Sequence, residues 1–122
     1  MLTKGVMDQE KTKSLLLKIC GNPATDPGAR EGLRCARGFA VDGRWEVAVQ
    51  LCGEGANCLH GCTGFDPEAD VAASLEELAT KAQIIVALED SNPGNSFPEW
   101  ILIVSSDEMV ERGLSAEVVL VF

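Results

Sequence analysis

The sequence has a single histidine, far fewer basic than acidic side chains, and no long apolar run. Each shortage excludes something. Any Ser-His-Asp triad would have to use His60, and no nucleophile-elbow motif surrounds Ser91, Ser105 or another serine to support one. Ten Lys and Arg against 19 Asp and Glu give a formal charge of −9. Nucleic-acid binding needs clustered cations, so no direct contact with a polynucleotide is expected. The same charge keeps the chain soluble and repels anionic membranes. No apolar stretch approaches the roughly 20 residues that span a bilayer, so no membrane partner is expected. Residues 1–13 lack an apolar h-region and read as a polar, flexible leader, not a secretory signal. The expected compartment is the cytoplasm, where the five cysteines would be reduced rather than bridged. Neither GxGxxG nor a Walker lysine occurs, and no cofactor is expected.

What remains is the material of one ordinary domain, over residues 14–122. Its apolar content of 46% and charged content of 24% are those of a soluble globular protein. Apolar runs at 14–20, 45–51, 83–88, 100–104 and 117–122 read as five strands. They are continuous rather than alternating, as in parallel sheets buried on both faces. Asp26-Pro27 provides an N-cap with proline at the first helical position, opening a helix over 27–41 that ends at Asp42-Gly43. Phe65-Asp66-Pro67 marks a turn. Ser74 and Glu77 spell a capping box for a second helix, with Leu75, Leu78 and Ala79 as its apolar stripe. Ser106 caps a third helix, over 107–112, stopped by Gly113. Alternating strands and helices give the expected fold class: α/β, a three-layer α/β/α arrangement around a mostly parallel five-stranded sheet.

The densest chemistry follows the second strand. Cys52-Gly-Glu-Gly-Ala-Asn-Cys58-Leu-His60-Gly-Cys62 holds three of the five cysteines and the histidine within eleven residues. Cys58, His60 and Cys62 are candidate catalytic residues. His60 would stabilise the thiolate of Cys58 or Cys62, one thiol attacking and the other resolving. The same three are weaker candidates for a metal, because Cys-x-His-x-Cys is not a usual zinc spacing. As a third reading, the loop packs at a subunit interface. Cys20 and Cys52 end the first two strands, and a parallel sheet would gather both at its C-terminal edge, where ligands bind in open α/β sheets. As plain packing residues they would be small hydrophobes filling strand ends. Cys35, inside the first helix, reads as packing. Gly53, Glu54 and Gly55 form a tight turn at the same edge that requires positive φ. Asn92 belongs to a polar loop over 90–96 that would face this edge as a pocket wall or as a simple connection.

Taken in order, several local sequences resemble the DsrE-like family of small sulfur-handling proteins. They are Ile19-Cys-Gly-Asn-Pro23, Gly32-Leu-Arg-Cys-Ala-Arg-Gly-Phe-Ala40, Trp45-Glu-Val-Ala-Val-Gln-Leu-Cys-Gly-Glu-Gly55, Ser74-Leu-Glu-Glu-Leu-Ala79 leading into Ile84-Ile-Val86, and Ala116-Glu-Val-Val-Leu-Val-Phe122. The resemblance implies a flavodoxin-like sheet, assembly into homo-trimers or hexamers, contacts with other sulfur-relay proteins, and persulfide carriage by a cysteine at the end of the third strand. Here that strand reads Ile85-Val-Ala-Leu-Glu-Asp90, with Ala87 or Leu88 where the thiol would stand. The expected function is therefore an accessory or binding oligomer of intracellular sulfur metabolism. The alternatives are a persulfide carrier or sulfurtransferase built on Cys58, His60 and Cys62, and a metal-binding module.

Overall fold

A computed structural model describes residues 13–57, 67–88 and 98–122. The strands are β1 (Lys13–Ile19), β2 (Trp45–Leu51), β3 (Gln83–Ala87), β4 (Ile101–Val104) and β5 (Val118–Val121). The helices are α1 (Pro27–Asp42), α2 (Glu54–Asn57), α3 (Pro67–Leu78) and α4 (Ser106–Ser115). The strands form one sheet in the order β4-β3-β2-β1-β5, and every pairing is parallel. This is the expected three-layer flavodoxin-like α/β fold.

Alternation along the strands divides the core in two. Leu15, Leu17 and Ile19 of β1 share one face with Val47, Val49 and Leu51 of β2 and with Ile84 and Val86 of β3. The apolar stripes of α1 (Ala29, Leu33, Ala36) and α3 (Val71, Leu75, Leu78) cover that face. On the opposite face Leu16, Ile85, Ala87 and Val104 pack against Met109 of α4. Burial on both faces explains why the central strands read as unbroken apolar runs.

α1 begins as its sequence dictates. The Asp26 side chain accepts a hydrogen bond from the Gly28 N–H at 3.0 Å, and Pro27 takes the first turn, where no N–H is needed. Gly43 ends the helix with φ at +81°, a conformation that suits glycine. The Phe122 ring lies against Gly32 so closely that a Cβ there would meet ring and stem atoms at 2.6–2.9 Å. That contact locks the end of β5 onto α1.

Two expected boundaries are corrected. Ser74 does not cap a helix: α3 starts at Pro67, and Ser74 and Glu77 lie in its C-terminal half. The buried stripe begins at Val71, before Ser74, and the Asp66-Pro67 dipeptide repeats the Asp26-Pro27 pair that opens α1. In α4 the cap is Ser105, whose hydroxyl accepts from the Glu108 N–H at 3.1 Å. The helix runs through Gly113 to Ser115, and the Ala116 N–H closes it on the Arg112 carbonyl. A side chain at Gly113 would meet open space, so nothing in the packing requires a stop there. β2 has the expected limits, and those of the other strands differ from expectation by one residue, as for β4, which opens at Ile101 with Trp100 packed on the core just before it.

Candidate functional site at the sheet rim

β1 and β2 run side by side with Lys18 opposite Gln50 and Ile19 opposite Leu51. Each strand then ends in cysteine. The Cys20 N–H donates to the Phe122 carbonyl at 3.1 Å, and the Cys52 N–H donates to the Ile19 carbonyl at 3.0 Å. Both cysteines thus continue the ladder by one residue before their chains turn away. The structure brings Cys20 and Cys52 together at the C-terminal edge of the sheet, as expected. Cys20 is exposed and Cys52 is half-buried.

The loops that follow are held tightly. After Cys20, the Asn22 carbonyl accepts from the N–H groups of Thr25 at 3.0 Å and Asp26 at 2.7 Å. The Asn22 side-chain oxygen accepts from the Ala24 N–H at 2.8 Å. Arg30 reaches back from α1, donating to the carbonyls of Pro23 and Ala24, each at 3.2 Å. After Cys52, Gly53 adopts φ of +51°, as the tight turn requires. The Gly55 N–H is shared between the carbonyls of Cys52 at 2.8 Å and Cys20 at 3.3 Å. Gly55 is buried where a Cβ would strike the Ile19 carbonyl at 2.5 Å, so the second loop crosses directly over the end of β1. Glu54 stays exposed at the start of α2, while Ala56 is buried.

Two residues of this region do not stand out in the sequence. Residues 18, 20, 50 and 52 share the parity opposite to Ile19 and Leu51, which places Lys18 and Gln50 on the same sheet face as the two thiols. The two strands end in the same pattern, polar-apolar-cysteine: Lys18-Ile-Cys20 and Gln50-Leu-Cys52. Lys18 is half-buried, and Gln50 is only 7% exposed. Among the described residues the Gln50 amide has no hydrogen-bond partner. Beyond the apolar middle of this face, formed by Leu16, Ala48 and Ile85, the rim is therefore a polar patch carrying two thiols, an ammonium and a buried amide.

The remaining expected site residues divide in two. Cys35 is half-buried on α1 and packs on the core, as expected. Cys58, His60, Cys62 and Asn92 lie outside the described residues, as do residues 1–12 of the leader. Among the described residues no group of three or more His, Cys, Asp or Glu side chains could hold a metal ion. None of the described helices is long and apolar enough to cross a membrane. β3 ends at the buried Ala87, followed by the exposed Leu88, with no thiol at either position. A separate groove of about 710 Å³ lies at the opposite, N-terminal edge of the sheet, between Ser14, Glu46, Gln83 and Arg112. Arg112 is spanned there between Glu108 and Gln83 and is distant from the thiols in the fold.

With five parallel strands in the order β4-β3-β2-β1-β5, the architecture can be compared with solved structures. The fold is similar to that of the ychN protein from E. coli. The TM-score is 0.72, and the match covers 90% of this chain and 99% of that one, at 14% sequence identity. YchN has the DsrE-like fold, so the expected architecture is the observed one. No protein-family model matches the sequence, and no curated protein matches it significantly.

Proposed function

We propose that this chain is a DsrE-like protein of cytoplasmic sulfur metabolism, working as a binding or accessory subunit of a homo-oligomer rather than as a persulfide carrier. One observation carries the reading. On a fold shared with YchN over nearly the whole of both chains, β3 ends in Ala87, followed by Leu88, instead of a thiol. Aliphatic side chains cannot accept sulfane sulfur, so the usual carrier step has no nucleophile at that position.

The surface supports self-association. Val119 and Val121 on β5, Leu102 and Ile103 on β4, and Val110 and Leu114 on α4 are all exposed, Val121 to 67% and Leu114 to 81%. They lie on the two opposite edge strands and on α4, so contacts through either edge would cover part of this apolar surface. A trimer or hexamer would bury it, and other sulfur-relay proteins are the remaining class of partner.

The test combines intact mass with sedimentation. After incubation with a persulfide donor the chain should carry no stable, stoichiometric sulfur adduct, and it should sediment as a trimer or hexamer. A stoichiometric persulfide would overturn the accessory role, and a monomer at micromolar concentration would overturn the oligomer.

A second reading, a thiol-based sulfur carrier or sulfurtransferase, is supported by the sequence: Cys58, His60 and Cys62 follow within five residues of Asn57, where α2 ends. In that reading Cys58 or Cys62 attacks the donor and His60 activates it. Cys58→Ser and Cys62→Ser, made singly, should each reduce iodoacetamide labelling near neutral pH. Unchanged labelling in both variants rejects this reading.

A further inference from the structure

Cys20 and Cys52 each follow directly after the register pair Ile19 and Leu51 that ends the neighbouring parallel strands β1 and β2, and their alternation with that pair puts both on one face of the sheet. Neighbouring strands lie about 4.8 Å apart. That spacing falls inside the range of about 4.4–6.8 Å between Cα atoms that a disulfide spans. Equal parity sends the two Cα–Cβ bonds to the same side, which bridging also requires. Both residues sit where the ladder gives way to loop. Their surroundings differ in a useful way: Cys20 is exposed, and Cys52 is half-buried beneath the Gly53–Gly55 turn, whose Gly55 N–H bridges the carbonyls of both cysteines.

From this geometry we propose that Cys20 and Cys52 form a dithiol site that reacts reversibly with small-molecule disulfides, closing to a Cys20–Cys52 disulfide. The proposal is independent of the accessory reading above and of the 58–62 loop. The Cys20 thiol loses its proton to solvent, and its thiolate attacks one sulfur of an external disulfide R–S–S–R. A Cys20–S–S–R bond forms, the external S–S bond breaks, and one RS⁻ leaves. The Cys52 thiol then loses its proton to solvent, and its thiolate attacks the Cys20 sulfur. The protein disulfide forms and the second RS⁻ leaves. The two released protons match the two thiolates released, so the protein is oxidised by two electrons and R–S–S–R is reduced to two R–SH. An external thiol reverses both steps. Accessibility assigns the order, because the attacking sulfur must be reached from solvent and the resolving sulfur needs only its neighbour.

Glutathione disulfide is the probe. The full chain, first reduced and desalted, should lose two hydrogens by intact mass, and peptide mapping should join the Cys20 peptide to the Cys52 peptide. Cys52→Ser should stop at the first step, with glutathione retained on Cys20. Cys20→Ser should lose the internal disulfide. A chain with Cys35, Cys58 and Cys62 all changed to serine should still close, its fold being checked by circular dichroism. If that variant does not fold, mapping of the unsubstituted chain decides alone. Cross-links from Cys20 or Cys52 to Cys58 or Cys62, glutathione persisting on Cys20 of the unsubstituted chain, or no reaction would each overturn the proposal. Sulfane sulfur takes no part in this experiment, so its outcome is separate from that of the persulfide test.

Discussion

Gly55 passes over Ile19 with no room for a side chain: a Cβ on Gly55 would come to 2.5 Å from the Ile19 carbonyl oxygen and 3.1 Å from that of Gly21. Both obstacles are backbone, so neither can rotate away. Gly55→Ala should lower stability by roughly 1–3 kcal/mol, the usual cost of overpacking, and it should disturb the rim, because the Gly55 N–H bonds both Cys20 and Cys52. Gly38 provides the contrast. It lies exposed within α1, and nothing approaches within 4 Å of where its Cβ would be. Gly38→Ala should therefore raise stability by about 0.5–1 kcal/mol, by removing backbone freedom from the unfolded chain. Urea unfolding midpoints for the two variants should move in opposite directions.

The two serine motifs should separate as cleanly. Ser105 holds the Glu108 N–H at the start of α4, so Ser105→Ala should cost about 1 kcal/mol. Ser74 sits inside α3 and caps nothing, so Ser74→Ala should change stability by only a few tenths of a kcal/mol, in the direction of helix propensity. Thermal or urea unfolding measures both. A full capping loss at Ser74 would mean that α3 starts at Leu75, eight residues later than Pro67.

These serines also show which parts of the fold were legible in the sequence. The strands were legible because buried parallel strands must be apolar on both faces, and Gly, Asn and Pro bound them sharply. α1 was legible because its cap and its apolar spacing agree. In α3 they disagree: Ser74-x-x-Glu77 is a valid local cap spelling, but the stripe of Val71, Leu75 and Leu78 extends N-terminal to it, and tertiary burial prevails over a local hydrogen bond. Gly113 was misleading for the opposite reason. A helix can absorb one glycine at about 1 kcal/mol, and α4 continues to the closing bond between Ala116 and Arg112. At the rim, the meeting of Cys20 and Cys52 followed from the parallel sheet alone. The roles of Lys18 and Gln50 did not, because cross-strand register is set by packing between strands and is not written in either one.

Among the described residues, a carboxyl whose titration is displaced lies on α1. Arg34 donates twice to the Glu31 carboxylate, and this hydrogen bonding, with a smaller charge attraction, holds the Glu31 carboxyl below the usual glutamate range. The folded chain thus binds that proton more weakly than the unfolded chain. The associated stabilisation is fully present above the unfolded value and disappears as pH falls through the lowered folded value. Carbon-detected NMR titration should place the Glu31 midpoint lower in the unsubstituted chain than in Arg34→Met. The gap should narrow at about 1 M salt, because the pair is exposed and screened. Identical midpoints would show that the pair does not form in solution.

Gln50 raises a sharper question, because its amide is buried on β2 without a hydrogen-bond partner among the described residues. Burying an amide unsatisfied costs about 1–3 kcal/mol, and Leu16, Ala48 and Ile85 show that this sheet face accepts apolar side chains. Leucine has nearly the volume of glutamine. In the isolated chain, diluted until it sediments as a monomer, Gln50→Leu should therefore raise stability by about 1 kcal/mol or more. At concentrations where the chain assembles, the gain should shrink or reverse if a neighbouring subunit or a ligand satisfies the amide. The measurement is a pair of urea curves, one on each side of the assembly transition. A gain of equal size on both sides would make Gln50 a plain defect in packing, and a loss on both sides would show that the amide is already satisfied within the single chain.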